Sequence, residues 1–235
     1  MSKQVKKTVK NETESINFDL GKYIPLKYQT ILSFAIIVLI FLIYYSPMYF
    51  GGMTFQSGDI LTTSSLKPYV HQEREGYTLW FPYIFCGMPS YALATEYRWF
   101  NLIYVGIHAI RTAFSAPFSS EYTMWSFYLI ILAFTSYFLL KYLTKNTLLS
   151  LFSAVTTSFS TGIILFLFIG HVTKLLSLSF FPLILLLILK FKEEIKLRDF
   201  AILIIALQLS VQGWHVQIIF YMLFAIMVYY LYFLI

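Results

Sequence analysis

Charge, cysteine and nucleotide-binding signatures are scarce in this chain of 235 residues. Only 12% of the residues are charged, whereas 59% are hydrophobic and the mean hydropathy is +0.72. This balance argues against a water-soluble domain. The single cysteine, Cys86, excludes an intramolecular disulfide and a thiolate metal cluster. The sequence has no Gly-rich phosphate loop, HExxH pair or nucleophile elbow, so nothing in it supports soluble nucleotide-dependent chemistry.

The positive charge that is present does not indicate a nucleic-acid partner. The formal net charge is +6, but the basic residues lie in short segments between apolar runs instead of gathering on one stripe. That distribution is typical of membrane topology. We therefore predict the lipid bilayer as the first partner of the chain and no nucleic acid.

The apolar runs predict an all-α integral membrane protein, a polytopic helical bundle with about six transmembrane helices. A helix that rises 1.5 Å per residue needs about 20 apolar residues to cross the hydrocarbon. The predicted spans are residues 30–50, 122–143, 148–169, 175–189 with their flanks, 200–212 and 216–235. The fifth is short. The sixth runs to Ile235 without a polar tail, so we expect the natural protein to continue.

Two segments are unlike these spans. Residues 1–29 form a polar, lysine-rich tail, which precedes a transmembrane region over residues 30–235. Residues 51–121 are interrupted by four prolines and several charges, which predicts a long loop at the membrane surface. Within this loop, residues 97–114 are mostly apolar but carry Arg98, Asn101, His108 and Arg111. This pattern favours an interfacial helix.

The distribution of Lys and Arg predicts the orientation. With a cytoplasmic amino terminus, the inner segments hold twelve basic residues and the outer segments five. The positive-inside rule therefore predicts a multi-pass protein of the inner (cytoplasmic) membrane, with residues 51–121 as its first extracytoplasmic loop.

Asp59 is the first candidate for a chemical role. It follows Gly58 shortly after the first span, where a partly desolvated carboxylate could take a proton from an acceptor hydroxyl. The alternative is a simple Gly-Asp turn, because both residue types favour turns. Spacing alone leaves both interpretations open.

A second candidate is the aromatic, proline-rich stretch over residues 79–89, which we call the aromatic lip. Its Trp80 and Tyr83 present rings that suit a sugar or an acceptor. An interfacial belt without a ligand explains the same composition.

The third candidate set is Lys174, His171 and His215, at two turns predicted on the outer side. These turns, Gly170-His171-Val172 and Gly213-Trp214-His215-Val216, are weakly similar to each other. Lys174 either reaches the lipid headgroups or binds an anion such as a lipid-linked phosphate. The histidines either donate hydrogen bonds to the same phosphate or cap helix ends that face water.

The order of these motifs resembles the YfhO-like bacterial membrane proteins, which belong with the GT-C type glycosyltransferases. The resemblance covers residues 55–221, and its most specific part is the aromatic lip, Trp80-Phe81-Pro82-Tyr83-Ile84-Phe85-Cys86-Gly87-Met88-Pro89. Two departures stand out: Thr62 to Ser65 replace a glutamine usual after the Gly-Asp, and Cys86 stands where a glycine is usual.

This resemblance implies a membrane glycosyltransferase that moves a sugar from a polyprenyl-phosphate donor to a cell-envelope glycopolymer or glycolipid. It implies Asp59 as the catalytic base and Lys174, His171 and His215 as donor-phosphate ligands. No cofactor is certain, and the sequence leaves the need for a divalent metal open.

Two rival functions remain. One is a transporter or flippase for lipid-linked precursors, in which charged residues and broken helices are expected near the middle of the bilayer. The polar residues here cluster towards the outer surface, which favours the enzyme. The other is a non-catalytic membrane scaffold.

Overall fold

The computed structural model describes residues 23–55, 80–81, 86–89, 101–118, 123–213 and 215–234. These residues are mainly helical. The helices are α1 (Leu26–Tyr44), α2 (Ser46–Tyr49), α3 (Leu102–Ser115), α4 (Thr123–Thr144), α5 (Thr147–Ser158), α6 (Thr161–Ile169), α7 (Val172–Ser179), α8 (Phe181–Lys190), α9 (Leu197–Gln212) and α10 (Val216–Leu234). One antiparallel pair, β1 (Trp80–Phe81) with β2 (Met88–Pro89), lies in the aromatic lip.

The predicted helical membrane protein is confirmed in outline. Among the described residues, four segments are long and apolar enough to cross a bilayer: Lys27–Tyr44, Thr123–Thr144, Thr147–Ile169 and Val172–Lys190. They correspond to the first four predicted spans. Helix α9 has only 16 residues, and the apolar part of α10 within the described residues is Val216–Tyr232. The fifth and sixth crossings therefore stay predictions.

Helix α4 is the centre of the bundle. Its membrane-length segment is 61% buried, compared with 22% for the segment in α1 and 17% for the segment that comprises α5 and α6. Tyr128, Leu129, Ala133 and Tyr137 on α4 are almost fully buried. Because α4 packs on α5, α7 and α8, its position determines where the ends of the other helices meet.

Two of the predicted spans are broken helices. The third divides between α5 and α6 at Phe159 and Ser160, and the fourth divides between α7 and α8 at Phe180. Pro182, in the first turn of α8, has no amide hydrogen for a continuing helix. The Thr135 hydroxyl of α4 donates to the Ser179 carbonyl at 2.8 Å, so a carbonyl beside the second break is satisfied inside the protein.

Helices α7 and α9 are joined by a reciprocal pair of serine hydrogen bonds. The Ser177 hydroxyl donates to the Ser210 carbonyl at 2.9 Å, and the Ser210 hydroxyl donates to the Ser177 carbonyl at 2.6 Å. Both serines are completely buried. Small polar residues of this kind let helices approach closely where lipid supplies no hydrophobic driving force.

The helix ends fall on two opposite faces of the bundle. We call the face that carries His171, Lys174 and His215 the histidine face. The end of α2 and the start of α4 meet there, where the hydroxyls of Tyr49 and Ser126 are hydrogen-bonded at 2.6 Å. Helix α3 lies on the same face, because the Asn101 amide donates to Gln212 at the end of α9 at 2.9 Å. The opposite face, called the lysine face, carries Lys141, Lys190, Lys192 and Lys196. There Gln29 at the start of α1 accepts a bond from Thr147, which accepts one from Lys141.

Replacing Gly213 by alanine should destabilise the protein. A Cβ at this position would lie 2.7 Å from the Thr173 carbonyl oxygen and would overlap the Ser177 hydroxyl, so α7 and the end of α9 would have to separate. Overpacking of this kind costs about 1–3 kcal/mol. The midpoint of thermal unfolding in detergent micelles measures the effect. Gly162→Ala is the matched control, because a Cβ on Gly162 in α6 meets nothing within 4 Å; equal midpoints for the two variants would contradict the close approach.

Candidate anion-binding site

The turn between α6 and α7 presents His171. Gly170 has φ of 92°, a left-handed conformation that favours glycine at the end of a helix. The amide of His171 donates back to the Phe166 carbonyl at 2.8 Å, which closes α6. The His171 carbonyl then accepts from the amide of Lys174 at 3.0 Å, so His171 stands at the N-cap of α7.

His215 has the matching position at the start of α10. Its carbonyl accepts from the amides of Ile218 at 2.9 Å and Ile219 at 3.1 Å. The weak sequence similarity of the two turns thus corresponds to a shared local structure, in which a histidine directly precedes a helix. Helix amino termini carry partial positive charge and expose amide hydrogens. Both turns therefore favour negative charge nearby.

Lys174 and the two histidines lie close enough to interact. Burial lowers the pKa of His215, and the charges of Lys174 and His171 lower it further. The Nδ1 atom of His215 is buried and has no hydrogen-bond partner among the described residues. The Lys174 ammonium lies 5.2 Å from the centroid of the Phe166 ring. Cationic and hydrogen-bond-donating groups thus lie near His215, and a ligand or a water molecule would supply the hydrogen bond that its Nδ1 atom lacks among the described residues.

The two faces differ in how their cations are compensated. Within the described residues the carboxylates are Glu193, Glu194 and Asp199, all on the lysine face. There Lys196 pairs with Glu194 at 3.0 Å, and Arg198 pairs with Asp199 at 3.0 Å. No described carboxylate lies near Lys174. The histidine face thus has an excess of positive charge in the part of the chain that the structure describes.

The described part of the aromatic lip is a short strand pair that includes Trp80. In its strand pair Trp80 lies opposite Pro89 and Phe81 opposite Met88. Gly87, with φ of 111°, lies so close to the Trp80 indole that a Cβ would approach ring carbon Cζ2 to 2.8 Å. Cys86 has φ of 61°, which explains in physical terms why a glycine would suit this position. Trp80 is 53% exposed, so much of its surface is available to a ligand.

The other two predicted site residues cannot be located in the same way. Asp59 and Tyr83 lie outside the described residues. The closest described residue before Asp59 is Phe55, whose ring centroid is 6.0 Å from that of Phe168 near the end of α6. The segment that leads towards Asp59 therefore starts at the histidine face.

Sequence reasoning missed the residues that hold this face together. Asn101 caps α3 by accepting from the Tyr104 amide at 3.1 Å, and its amide group also donates to Gln212 of α9. Ser177, Ser210 and Gly213 then fix α9 against α7. A pattern of small polar residues on apolar helices was a usable signal for the serines. Nothing in the sequence pairs Asn101 with a residue 111 positions away.

No group of three or more His, Cys, Asp or Glu side chains in the described part of the chain could hold a metal ion. The need for a divalent metal therefore stays an open prediction.

Comparisons with known proteins identify no relative. Neither a protein-family model, nor a curated protein, nor a solved structure matches the chain. The interpretation of the site rests on its own geometry.

Lowering the pH should destabilise the fold through His215. Because burial first, and then Lys174 and His171, lower its pKa below the ordinary value of 6.5, the unfolded chain binds a proton more readily than the folded chain. Stability is therefore full above pH 6.5 and is lost as the pH falls through and below that value. The midpoint of thermal unfolding, measured across this range, should decline less steeply for His215→Gln than for the wild type.

His108 provides the control for this measurement. Burial and Arg111 also lower the pKa of His108. His108 therefore causes its own loss of stability as the pH falls, and this loss remains in His215→Gln. A decline that only the double variant His108→Gln, His215→Gln reduces would assign the effect to His108. An unchanged slope in His215→Gln would contradict the prediction.

Proposed function

We propose that this chain forms part of a membrane glycosyltransferase that moves a sugar from a polyprenyl-phosphate donor to a cell-envelope acceptor. The observation that carries the proposal is the grouping of Lys174, His171 and His215 at the starts of two helices, on a face without a described carboxylate. A lipid-linked phosphate is an anion attached to a hydrocarbon chain, so it suits a cationic site at the ends of apolar helices.

The chemistry divides between two groups of residues. Asp59 takes the proton of the acceptor hydroxyl, the hydroxyl oxygen bonds to the anomeric carbon, and the bond from that carbon to the phosphate oxygen breaks. Lys174 and the histidines stabilise the negative charge that develops on the departing phosphate. An anion beside His215 favours its charged form, so donor binding is expected to raise the pKa of His215, which burial, Lys174 and His171 lower.

The orientation is a separate part of the proposal. The donor and the proposed base meet only if the histidine face lies on the outer side of the cytoplasmic membrane. The resemblance to YfhO-like proteins and the positive-inside count both favour that side. The contrast between a lysine-rich face and a histidine face agrees with this assignment.

A transporter or flippase is the second candidate, and one observation favours it. The breaks in the third and fourth spans adjoin an open groove of about 410 Å³ lined by Leu132, Thr157, Ser160, Ile163, Leu178, Phe181 and Pro182. Broken helices were expected for a transporter. The described lining has no charged residue, however, so the groove offers hydroxyls and apolar surface but no charge to bind an ionic group. The sugar transferase therefore stays the preferred proposal, and a non-catalytic scaffold is the third candidate.

The single cysteine tests the orientation. Cys86 is exposed, so a membrane-impermeant maleimide added to intact spheroplasts should label it, and mass spectrometry of the purified chain should find the adduct. The matched control is the double variant Cys86→Ser, Lys196→Cys; because Lys196 lies on the lysine face, this variant should be labelled only after the membrane is opened. The reverse pattern would place the lip in the cytosol and remove the proposal.

Asp59→Asn should abolish sugar transfer without reducing the amount of protein in the membrane. In vesicles that contain the whole protein and an added polyprenyl-phosphate sugar, loss of a general base lowers the rate about 10²–10⁴-fold. Lys174→Gln should weaken donor binding and slow transfer, while Lys174→Arg retains the charge and should retain most of the activity. Sugar incorporated into the acceptor fraction is the measured quantity.

Lys196→Gln is the control for the loss of one positive charge, because Lys196 lies on the lysine face beside Glu194. It should leave transfer unchanged. Movement of a fluorescent lipid-linked phosphate between leaflets, measured in the same vesicles, identifies the transporter. Full activity in Asp59→Asn would reject the proposed base, and lipid movement without sugar transfer in the wild type would reject the enzyme.

A further inference from the structure

Helix α3 has an exposed strip that is entirely apolar. Leu102, Gly106, Ala109, Ile110 and Ala113 follow a helical spacing along one side, and all five are exposed. Leu102 is 78% exposed and Ile110 58%. In a protein with membrane-length helices, a strip of this kind next to the bundle is expected to contact lipid chains.

The neighbouring side of α3 packs on the protein. Ile103, Ile107 and Phe114 contact the hydrophobic core, and α3 contacts α4 and α9. Arg111 lies on this side and is half-buried. The helix therefore has protein along one side and an apolar strip along another. Such a helix lies at the depth where acyl chains meet lipid headgroups.

Tyr128 of α4 fixes the guanidinium of Arg111. The Nη1 atom of Arg111 donates to the Tyr128 hydroxyl at 3.2 Å, and the guanidinium carbon lies 5.7 Å from the centroid of the Tyr128 ring. Tyr128 is only 1% exposed, so it is a rigid support. A guanidinium held in this way loses little further freedom when it binds a ligand.

The charge of Arg111 has no acidic partner in the part of the chain that the structure describes. Its Nε atom is buried and makes no hydrogen bond there, and the described carboxylates are all on the lysine face. By contrast, Arg198 bonds Asp199 at 3.0 Å. Arg111 as a whole is only half-buried, so an anion from outside the protein can meet the remaining charge of its guanidinium.

We propose that Arg111 binds the phosphate of a membrane phospholipid and thereby holds α3 against the bilayer surface. The apolar strip brings acyl chains beside the helix, so a phospholipid phosphate would lie at the depth of the guanidinium. The planar fork of an arginine matches phosphate oxygens. This site is distinct from the group formed by Lys174, His171 and His215, and it does not depend on sugar transfer.

Native mass spectrometry of the whole protein, with phosphatidylglycerol titrated into detergent micelles, tests the site. The wild type should bind one lipid about tenfold more tightly than Arg111→Gln, since a hydrogen bond to a charged group of this kind contributes a factor of that order. Arg111→Lys should fall between them, because lysine keeps the charge and loses the fork. Tyr128→Phe keeps the ring and removes the hydrogen bond, and it should also weaken binding.

Three comparisons identify what is bound. A glycosyl diacylglycerol with the same acyl chains but no phosphate should show no difference between wild type and Arg111→Gln. Excess inorganic phosphate should compete only weakly, because it lacks the chains that contact the apolar strip; complete displacement would assign the site to free phosphate. Lys196→Gln is the charge control and should bind as the wild type does. Equal phosphatidylglycerol affinity in the wild type, Arg111→Gln and Tyr128→Phe would overturn the proposal.

Discussion

A polar group inside the hydrocarbon must find its partner within the protein, and this constraint governs how the two candidate turns come together. Ser177 and Ser210 exchange hydrogen bonds between hydroxyl and carbonyl groups, so both hydroxyls are satisfied only when α7 and α9 touch. Gly213 permits that contact, because any side chain there would meet Thr173 and Ser177. The turn before α7 carries His171 and the turn after α9 carries His215. The serine contact thus fixes the spacing of the histidines as well as the packing of the helices.

Sequence reasoning located the membrane-length helices well and their interruptions poorly. The segment Thr147–Ile169 is apolar enough along its whole length to read as one span. Hydropathy therefore could not reveal that the helix stops at Ser158 and starts again at Thr161. Pro182 was a visible signal for the second break, but a proline in an apolar run is also compatible with a kinked continuous span. The first helix starts at Leu26, before the predicted boundary, and the Gln29 side chain in its first turn donates to the Ile24 carbonyl. Local hydrogen bonds of this kind leave no trace in hydropathy.

The candidate site was predictable as a set of residue types and not as a geometry. His171 and Lys174 are three positions apart at the start of one helix, so the sequence alone brings them together. His215 joins them through the contacts of α7 with α9 and with α10, which depend on packing across more than thirty residues of chain. Arg111 was predicted to lie in an interfacial helix; the structure has helix α3 at these residues, and its position at the membrane surface stays a prediction. The direction of the Arg111 side chain towards Tyr128 could not be predicted. Arg98 and His108 are polar residues of the same predicted helix, so the sequence did not show which of the three would face the protein.

Among the described residues, the cations of the histidine face have no carboxylate beside them. On the lysine face each described carboxylate is close to a hydrogen-bond donor or a cation, so the charges there largely compensate each other. In the described part of the histidine face, Lys174 lies near the Phe166 ring and Arg111 lies near the Tyr128 ring. Aromatic faces attract cations more weakly than carboxylates do, and they leave room for an anion. A ligand that supplies negative charge beside these cations would stabilise the folded protein by its binding.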